Sequence, residues 1–492
     1  MNDFPWVSSG IKWLLLVALL LFCLLLAWAF QSRSMPALQI WHTTSLQSEF
    51  DSADATMGYT LAEYLEQEDR LFEELEKTII LQVEPTKQLT YERYKKGGVQ
   101  NPAWPSRNWN RTYEMVPETI KGGVLLLHGL SDSPYSLRRL AQIFYQRGFY
   151  VLALRLPGHG TIPAELTEVR WEDWRAASRI GARHVRKRIG AEPPFFMTGF
   201  SNGGALTMIY ALDAMVNEDL PEPEQLFLFS PEIGISSFAS IANSQKLLSF
   251  IPYFAKFKWL SIQPEYDPFK YNSFPKNAAQ EAWDLTNFLD KQLTAARAAG
   301  RLKYFPGVLT FLSWQDSTVH TSDTIHRLYS YLDNNDSELV MFDVNRFDSL
   351  APFIPVANVS ALLKLKADAS LPYRLTVITN VSGNSQDMAE KTKAPHTAKV
   401  DTRLLDLKWP QGVYSLSHVA IPFPPDDPVY GAVQTVGSEY RGLPLGALSP
   451  RGETRLLTAP VAQLMRLRHN PFFSYIVARV DEEIAESFHH GE

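Results

Sequence analysis

One serine in this chain stands where a nucleophile would be useful: Ser201, in Gly199-Phe200-Ser201-Asn202-Gly203-Gly204, directly after the apolar run Phe195 to Thr198. The G-x-S-x-G pattern places a serine on a sharp strand-to-helix turn, where glycines two before and two after let the two elements pass without Cβ clashes. A serine hydroxyl is a poor nucleophile until a base accepts its proton, so the chemistry also requires a histidine steadied by a carboxylate. The helix that must follow the turn is legible as Ala205 to Leu212.

The elements needed to hold such a turn lie upstream. Gly123 to Leu127 is a short apolar run of the kind buried on both faces of a parallel sheet, and it ends in His128-Gly129-Leu130. A second run, Tyr150 to Leu154, ends in Arg155-Leu156-Pro157-Gly158-His159-Gly160-Thr161. Between them Pro134 to Arg147 has helical spacing and stops at Gly148. The order is therefore strand, helix, strand, helix, strand, nucleophile turn.

With its HG turn, GHG loop, Trp171-Glu172-Asp173-Trp174 helix start and G-x-S-x-G turn, the chain resembles the α/β-hydrolase superfamily, closest to its monoacylglycerol-lipase and carboxylesterase-like members. The resemblance covers residues 120 to 235 well and recurs in pieces to about residue 430. It implies a mostly parallel central sheet with helices on both faces and a helical cap, and it assigns the oxyanion donors to the backbone amides of Leu130 and Asn202. It also places the triad acid at the end of a late core strand. The run Gly307 to Leu312 ends in Ser313-Trp314-Gln315-Asp316-Ser317-Thr318-Val319, which makes Asp316 the candidate; the alternative is an N-cap for a helix over 322–332.

The base is harder to choose, because the compact family plan sets its histidine a short loop after the last strand. Here about seventy residues follow Glu338 to Asp343, with a further strand expected at Tyr373 to Thr379, before Ser415-Leu416-Ser417-His418. His418 sits in an irregular, proline-rich setting of the kind that carries catalytic groups. His320 would share the loop of Asp316, His128 and His159 belong to structural turns, and His396 and His469 read as surface residues. Ser201, Asp316, His418 is also the chain order expected of the fold. No cofactor and no metal are expected, and Asp426-Asp427 reads as a loop rather than a cation site.

Composition fits an enzyme rather than a nucleic-acid binder. The chain has 492 residues, 45% of them hydrophobic, a net charge of −6 and one cysteine, Cys23, which excludes a disulfide framework. Its basic stretch, Arg183 to Arg188, reads as a solvated helix face. Trp13 to Phe30 carries no charge, and an uncleaved membrane anchor is expected there, the alternative being a signal peptide cleaved at Ala27-Trp28-Ala29. The catalytic part is expected outside the cytoplasm. An amphipathic acidic helix follows, with Leu61, Tyr64, Leu65, Leu71 and Leu75 on one stripe.

This reading divides the chain into a tail (1–10), an anchor (11–30), a helical and loop region with leading strands (31–119), the first part of the hydrolase core (120–232), a cap (233–302), the acid-bearing strand (303–345), an insertion (346–410) and the histidine loop with the C-terminal region (411–492). In the cap, Phe250 to Leu260 either lines an acyl pocket or forms the cap's own core. The expected partners are a small acyl ester or lipid and a membrane, and no nucleic acid. A thioesterase, a serine peptidase or a catalytically silent binding protein on the same fold would share these features.

Overall fold

The computed structural model describes residues 5–55, 58–83, 92–103, 107–234, 252–332, 336–433, 440–453 and 456–489. Its centre is a ten-stranded sheet. In chain order the strands are β1 (Tyr113–Met115), β2 (Gly122–Leu127), β3 (Phe149–Leu154), β4 (Phe195–Phe200), β5 (Gln225–Phe229), β6 (Trp259–Ser261), β7 (Phe274–Pro275), β8 (Gly307–Ser313), β9 (Glu338–Phe342), β10 (Arg374–Asn380), β11 (Asp387–Lys393) and β12 (Asp401–Lys408). The large sheet runs β1-β3-β2-β4-β5-β8-β9-β10-β11-β12, while β6 and β7 form a separate two-stranded ribbon. Neighbours from β3 to β10 are parallel; β1 and the β11–β12 hairpin are antiparallel.

The apolar runs that lack alternation are buried on both faces, because helices cover the sheet on each side. The helices used below are α1 (Pro5–Ser34), α2 (Leu61–Leu75), α3 (Arg138–Gln146), α4 (Trp171–Ile189), α5 (Asn202–Ala214), α6 (Lys276–Ala298), α7 (Val356–Ala367) and α8 (Phe473–His489). Leu125 and Leu127 of β2 point into the layer of α4, α5 and α6, whereas Val124 and Leu126 point into that of α3 and α8. Reversal on successive residues is the period-two geometry of a strand.

Three expectations need correction. The helix expected inside the cap, α6, packs on α5 and α4 and so belongs to the sheet's helical layer, which leaves a shorter cap than 233–302. The stretch 346–410 is no separate insertion: β10 continues the parallel sheet beside β9, and β11 and β12 extend it. His469, expected at the surface, is buried. The cap residue Phe250 lies outside the described residues; of its neighbours, Phe254, Phe257 and Trp259 are buried and Tyr253 and Leu260 exposed.

The acidic helix α2 does bury Leu61, Tyr64, Leu71 and Leu75, and with them Glu68. Glu68 and Glu49 meet the buried Arg155 guanidinium at 3.0 and 2.9 Å, in the loop after β3. α1 contains one stretch, Lys12–Ser34, long and apolar enough to cross a membrane, with a mean hydropathy of 2.8; a signal sequence meets the same measure. Its last turn is tied to the cap. Lys256 Nζ donates to the carbonyls of Ser32 and Met35 at 3.1 and 2.8 Å, Ser32 Oγ donates to the Tyr253 carbonyl at 2.9 Å, and the Tyr253 hydroxyl reaches the Ala29 carbonyl at 3.4 Å. A cation on the unpaired carbonyls of a helix C-terminus satisfies both their hydrogen bonding and the helix dipole.

Candidate active site

β4 delivers Ser201 to the carboxyl edge of the sheet in a backbone conformation that few side chains adopt, with φ 54° and ψ −118°. The turn is tight enough to require its glycines: a Cβ on Gly199 would lie 2.3 Å from the Gly203 carbonyl oxygen, and one on Gly203 only 2.0 Å from that of Leu127. The strain is held by hydrogen bonds on both sides, from Ser201 N–H to the Phe229 carbonyl and from Glu232 N–H to the Ser201 carbonyl, each 3.0 Å. Ser201 is the N-cap of α5, so Asn202 is the first residue of a helix N-terminus, whose free N–H groups favour negative charge.

The acid and the histidine come together. Asp316, just after β8, accepts the N–H groups of Thr318 and Val319 on Oδ1 at 2.8 and 3.1 Å, while Oδ2 lies 2.8 Å from His418 Nδ1. Burial opposes ionisation of Asp316, but His418 and the two backbone N–H groups outweigh it and hold the carboxyl below its usual range. Both side chains are buried, and the imidazole lies beside Phe200, the residue before Ser201, with ring centroids 5.2 Å apart. His418 opens a 3-10 turn, His418–Ala420, that follows the β11–β12 hairpin.

The other histidines fall elsewhere. His128 Nδ1 donates to the Gly129 carbonyl at 2.9 Å while its Nε2 accepts the Leu156 N–H at 3.0 Å, and His159 Nδ1 donates to the Pro157 carbonyl at 2.9 Å. The two rings meet at 4.9 Å, and burial pushes both pKa values down, His159 to about 3. They shape the HG and GHG turns. His320 and His396 are exposed. Asp427 is occupied by Tyr135, Arg138 and the N–H groups of Val429 and Tyr430, and Asp426 by Arg139.

Three charged residues around Ser201 escaped the sequence reading. Asp132 follows the HG turn, with its Oδ1 2.7 Å from Lys270 Nζ. Glu232 lies beyond the end of β5; burial foremost, then the Asp316 charge, pushes its carboxyl up to about 7 against the pull of Lys270. Position at a strand's carboxyl end was a usable signal for Asp132 and Glu232. Lys270 gave none, because it arrives from the cap. A cavity of about 650 Å³ opens at the opposite end of the strands, near Phe196, Gln225 and Gly307. Its Arg479 and Arg403 are paired with Glu338 and Glu390.

An alpha/beta hydrolase family model matches residues 124–381. Among curated proteins, a stretch of 89 residues is 37% identical to a thermostable monoacylglycerol lipase of Bacillus sp. (strain H-257), covering 18% of this chain and 34% of that one. A stretch of 133 residues is 29% identical to a carboxylesterase of Bacillus subtilis (strain 168), covering 26% and 53%. The aligned stretches thus span about a third to a half of these relatives. Among solved structures, a Paleococcus ferrophilus monoacylglycerol lipase superposes with a TM-score of 0.35 and 21% identity over 47% of this chain and 89% of that one. One of the metagenome-derived lipolytic enzymes LipS and LipT gives 0.39 and 22% over 52% and 98%. With a family match over more than half its length and a G-x-S-x-G turn seated on a parallel sheet, the chain belongs to the alpha/beta hydrolase family.

Proposed function

We propose that this protein is a membrane-anchored serine hydrolase that cleaves carboxylic esters. The observation that carries the reading is the buried 2.8 Å contact between His418 Nδ1 and Asp316 Oδ2, with the imidazole beside the strand that delivers Ser201. With Nδ1–H donated to Asp316, the free Nε2 lone pair is the one available to accept the Ser201 proton. Ser201 Oγ then attacks the ester carbonyl, and the carbonyl oxygen takes the negative charge under the Leu130 and Asn202 amides. The imidazolium returns the proton to the departing alkoxide, which leaves as the alcohol. Water, deprotonated by the same histidine, attacks the acyl-serine and releases the acid and the free hydroxyl.

The curated relatives, a monoacylglycerol lipase and a carboxylesterase, support an ester as the substrate class. The apolar α1 supports delivery at a membrane, with Lys12–Ser34 as the span, and we place the catalytic part outside the cytoplasm as part of the proposal. The test is labelling of the detergent-purified full chain with a fluorophosphonate, together with turnover of short and medium acyl esters. Labelling and turnover that both vanish in Ser201→Ala are expected. Equal signals from the two proteins would leave a binding protein on a hydrolase fold.

A further inference from the structure

The turn that carries Leu130 is held from outside by two successive residues of the cap. Lys270 Nζ approaches Asp132 Oδ1 at 2.7 Å and the Leu130 carbonyl at 3.4 Å, and the Tyr271 N–H donates to the Ser131 carbonyl at 2.9 Å. Ser131 itself is held at φ 63°. The Tyr271 hydroxyl reaches the second family loop, accepting the Thr161 N–H at 2.8 Å and donating to the Gly158 carbonyl at 3.2 Å. The clamp is itself rigid. Phe269 stacks on Tyr135 at 3.7 Å, and Asp267 Oδ1 accepts the N–H groups of Phe269 and Lys270 and the Tyr430 hydroxyl.

Asp132 matters because of where its charge lies. A Cβ built on Gly129 would sit 2.8 Å from Asp132 Oδ2 and 3.2 Å from the Ser201 Cβ, so carboxylate and nucleophile flank the same glycine. Burial pushes the Asp132 carboxyl up and Lys270 is the main influence pulling it back. Without that ammonium, a buried carboxylate would stand unpaired beside the site where the reacting carbonyl oxygen turns negative. Like charges at such range in a dry site oppose each other strongly.

We propose that Lys270 is a positioning residue that neutralises Asp132 and fixes the Leu130–Asp132 turn, so that docking of the Asp267–Tyr271 cap segment completes the oxyanion site. The proposal rests on Ser201 being the nucleophile. Its test compares wild type, Ser201→Ala, Lys270→Met, Lys270→Arg and the Lys270→Met/Asp132→Asn double variant as full chains in detergent, reading ester kcat and KM and the rate of fluorophosphonate labelling. Lys270→Met should lower kcat and labelling by about 10- to 100-fold, less than the roughly 100- to 1000-fold of a lost direct oxyanion donor because Lys270 acts through Asp132 and the Leu130 turn, with KM within about two-fold. Lys270→Arg should recover most of the loss. The double variant should recover it too, because removing the carboxylate removes what the ammonium neutralises; a merely misfolded protein would gain nothing from a second substitution. A kcat of Lys270→Met equal to wild type, or an equal loss in the single and double variants, overturns the proposal. A wild type no more reactive than Ser201→Ala instead sinks the serine-hydrolase reading, and the Lys270 assignment with it.

Discussion

Asp316 spends two backbone N–H groups and one imidazole on a single buried carboxylate, which fixes His418 in one tautomer and one orientation. In the proposed triad the members act as a unit, so His418→Ala should lower ester turnover by about 10⁴-fold, with circular dichroism unchanged. His320→Ala, at an exposed position four residues from the acid, should stay within about two-fold of wild type. A near-normal His418→Ala beside a dead His320→Ala would reverse the assignment. Chain order and strand ends were enough to point to Ser201, Asp316 and His418 as candidates, and the structure brings Asp316 and His418 into contact and sets Ser201 on the expected strand-to-helix turn. Asp132 and Glu232 went unread because a charged residue beside an apolar run also reads as a solvated strand end, and Lys270 because it arrives from the cap, far along the chain from any strand of the main sheet.

At the scale of elements, legibility followed burial. Strands β2, β4 and β8 are covered on both faces and announce themselves as apolar runs. β12, Asp401–Lys408, is exposed along most of its length and mixes charged and apolar residues without a clean alternation, so its sequence carries no strand signal. Charge on such an edge also discourages pairing with a second chain. Two loops that brace the parallel sheet give stability tests. Arg155 is buried between Glu49 and Glu68, and Arg155→Met would leave both carboxylates without their partner, so a loss of about 3–5 kcal/mol in chemical denaturation is expected. Glu165 accepts the Leu46 N–H at 2.9 Å, yet burial raises its carboxyl to about 8. The folded state therefore binds a proton that the unfolded state gives up above about 4.5, and stability falls as pH rises from there toward 8. Glu165→Gln, which keeps an acceptor and carries no charge, should melt about 1–3 °C higher than wild type at pH 8 and show no gain at pH 4.5. A gain independent of pH would contradict this.

At the scale of the molecule, the sheet, the cap and α1 are linked in series. The cap stretch Pro252–Lys258 grips the last turn of α1, and Asp267–Tyr271, farther along the cap, grips the turn that carries Leu130. His42, buried with its pKa pushed down to about 4, donates from Nε2 to Ser273 Oγ and packs edge-on against Trp259 at 4.9 Å. A fragment beginning at residue 36 keeps every residue of the proposed triad but loses the carbonyl acceptors of Lys256. Such a fragment should still hydrolyse short esters. Its amides in 252–261 should exchange with deuterium about ten-fold faster than in the full chain, as local opening costs about 1.4 kcal/mol less. Unchanged exchange would show that the grip on α1 contributes nothing to the cap.

That grip has a geometric consequence. Only Met35 to Gln39 separate α1 from the next helical turn, Ile40–Thr43, and Lys256 bridges the junction with two hydrogen bonds. Under the proposed anchoring of α1 in a bilayer, these contacts restrain rotation of the body about the helix. Its compass bearing relative to the lipid plane is set by the chain itself, and single-molecule polarisation of a fluorophore fixed on α4 should report one tilt rather than a smear.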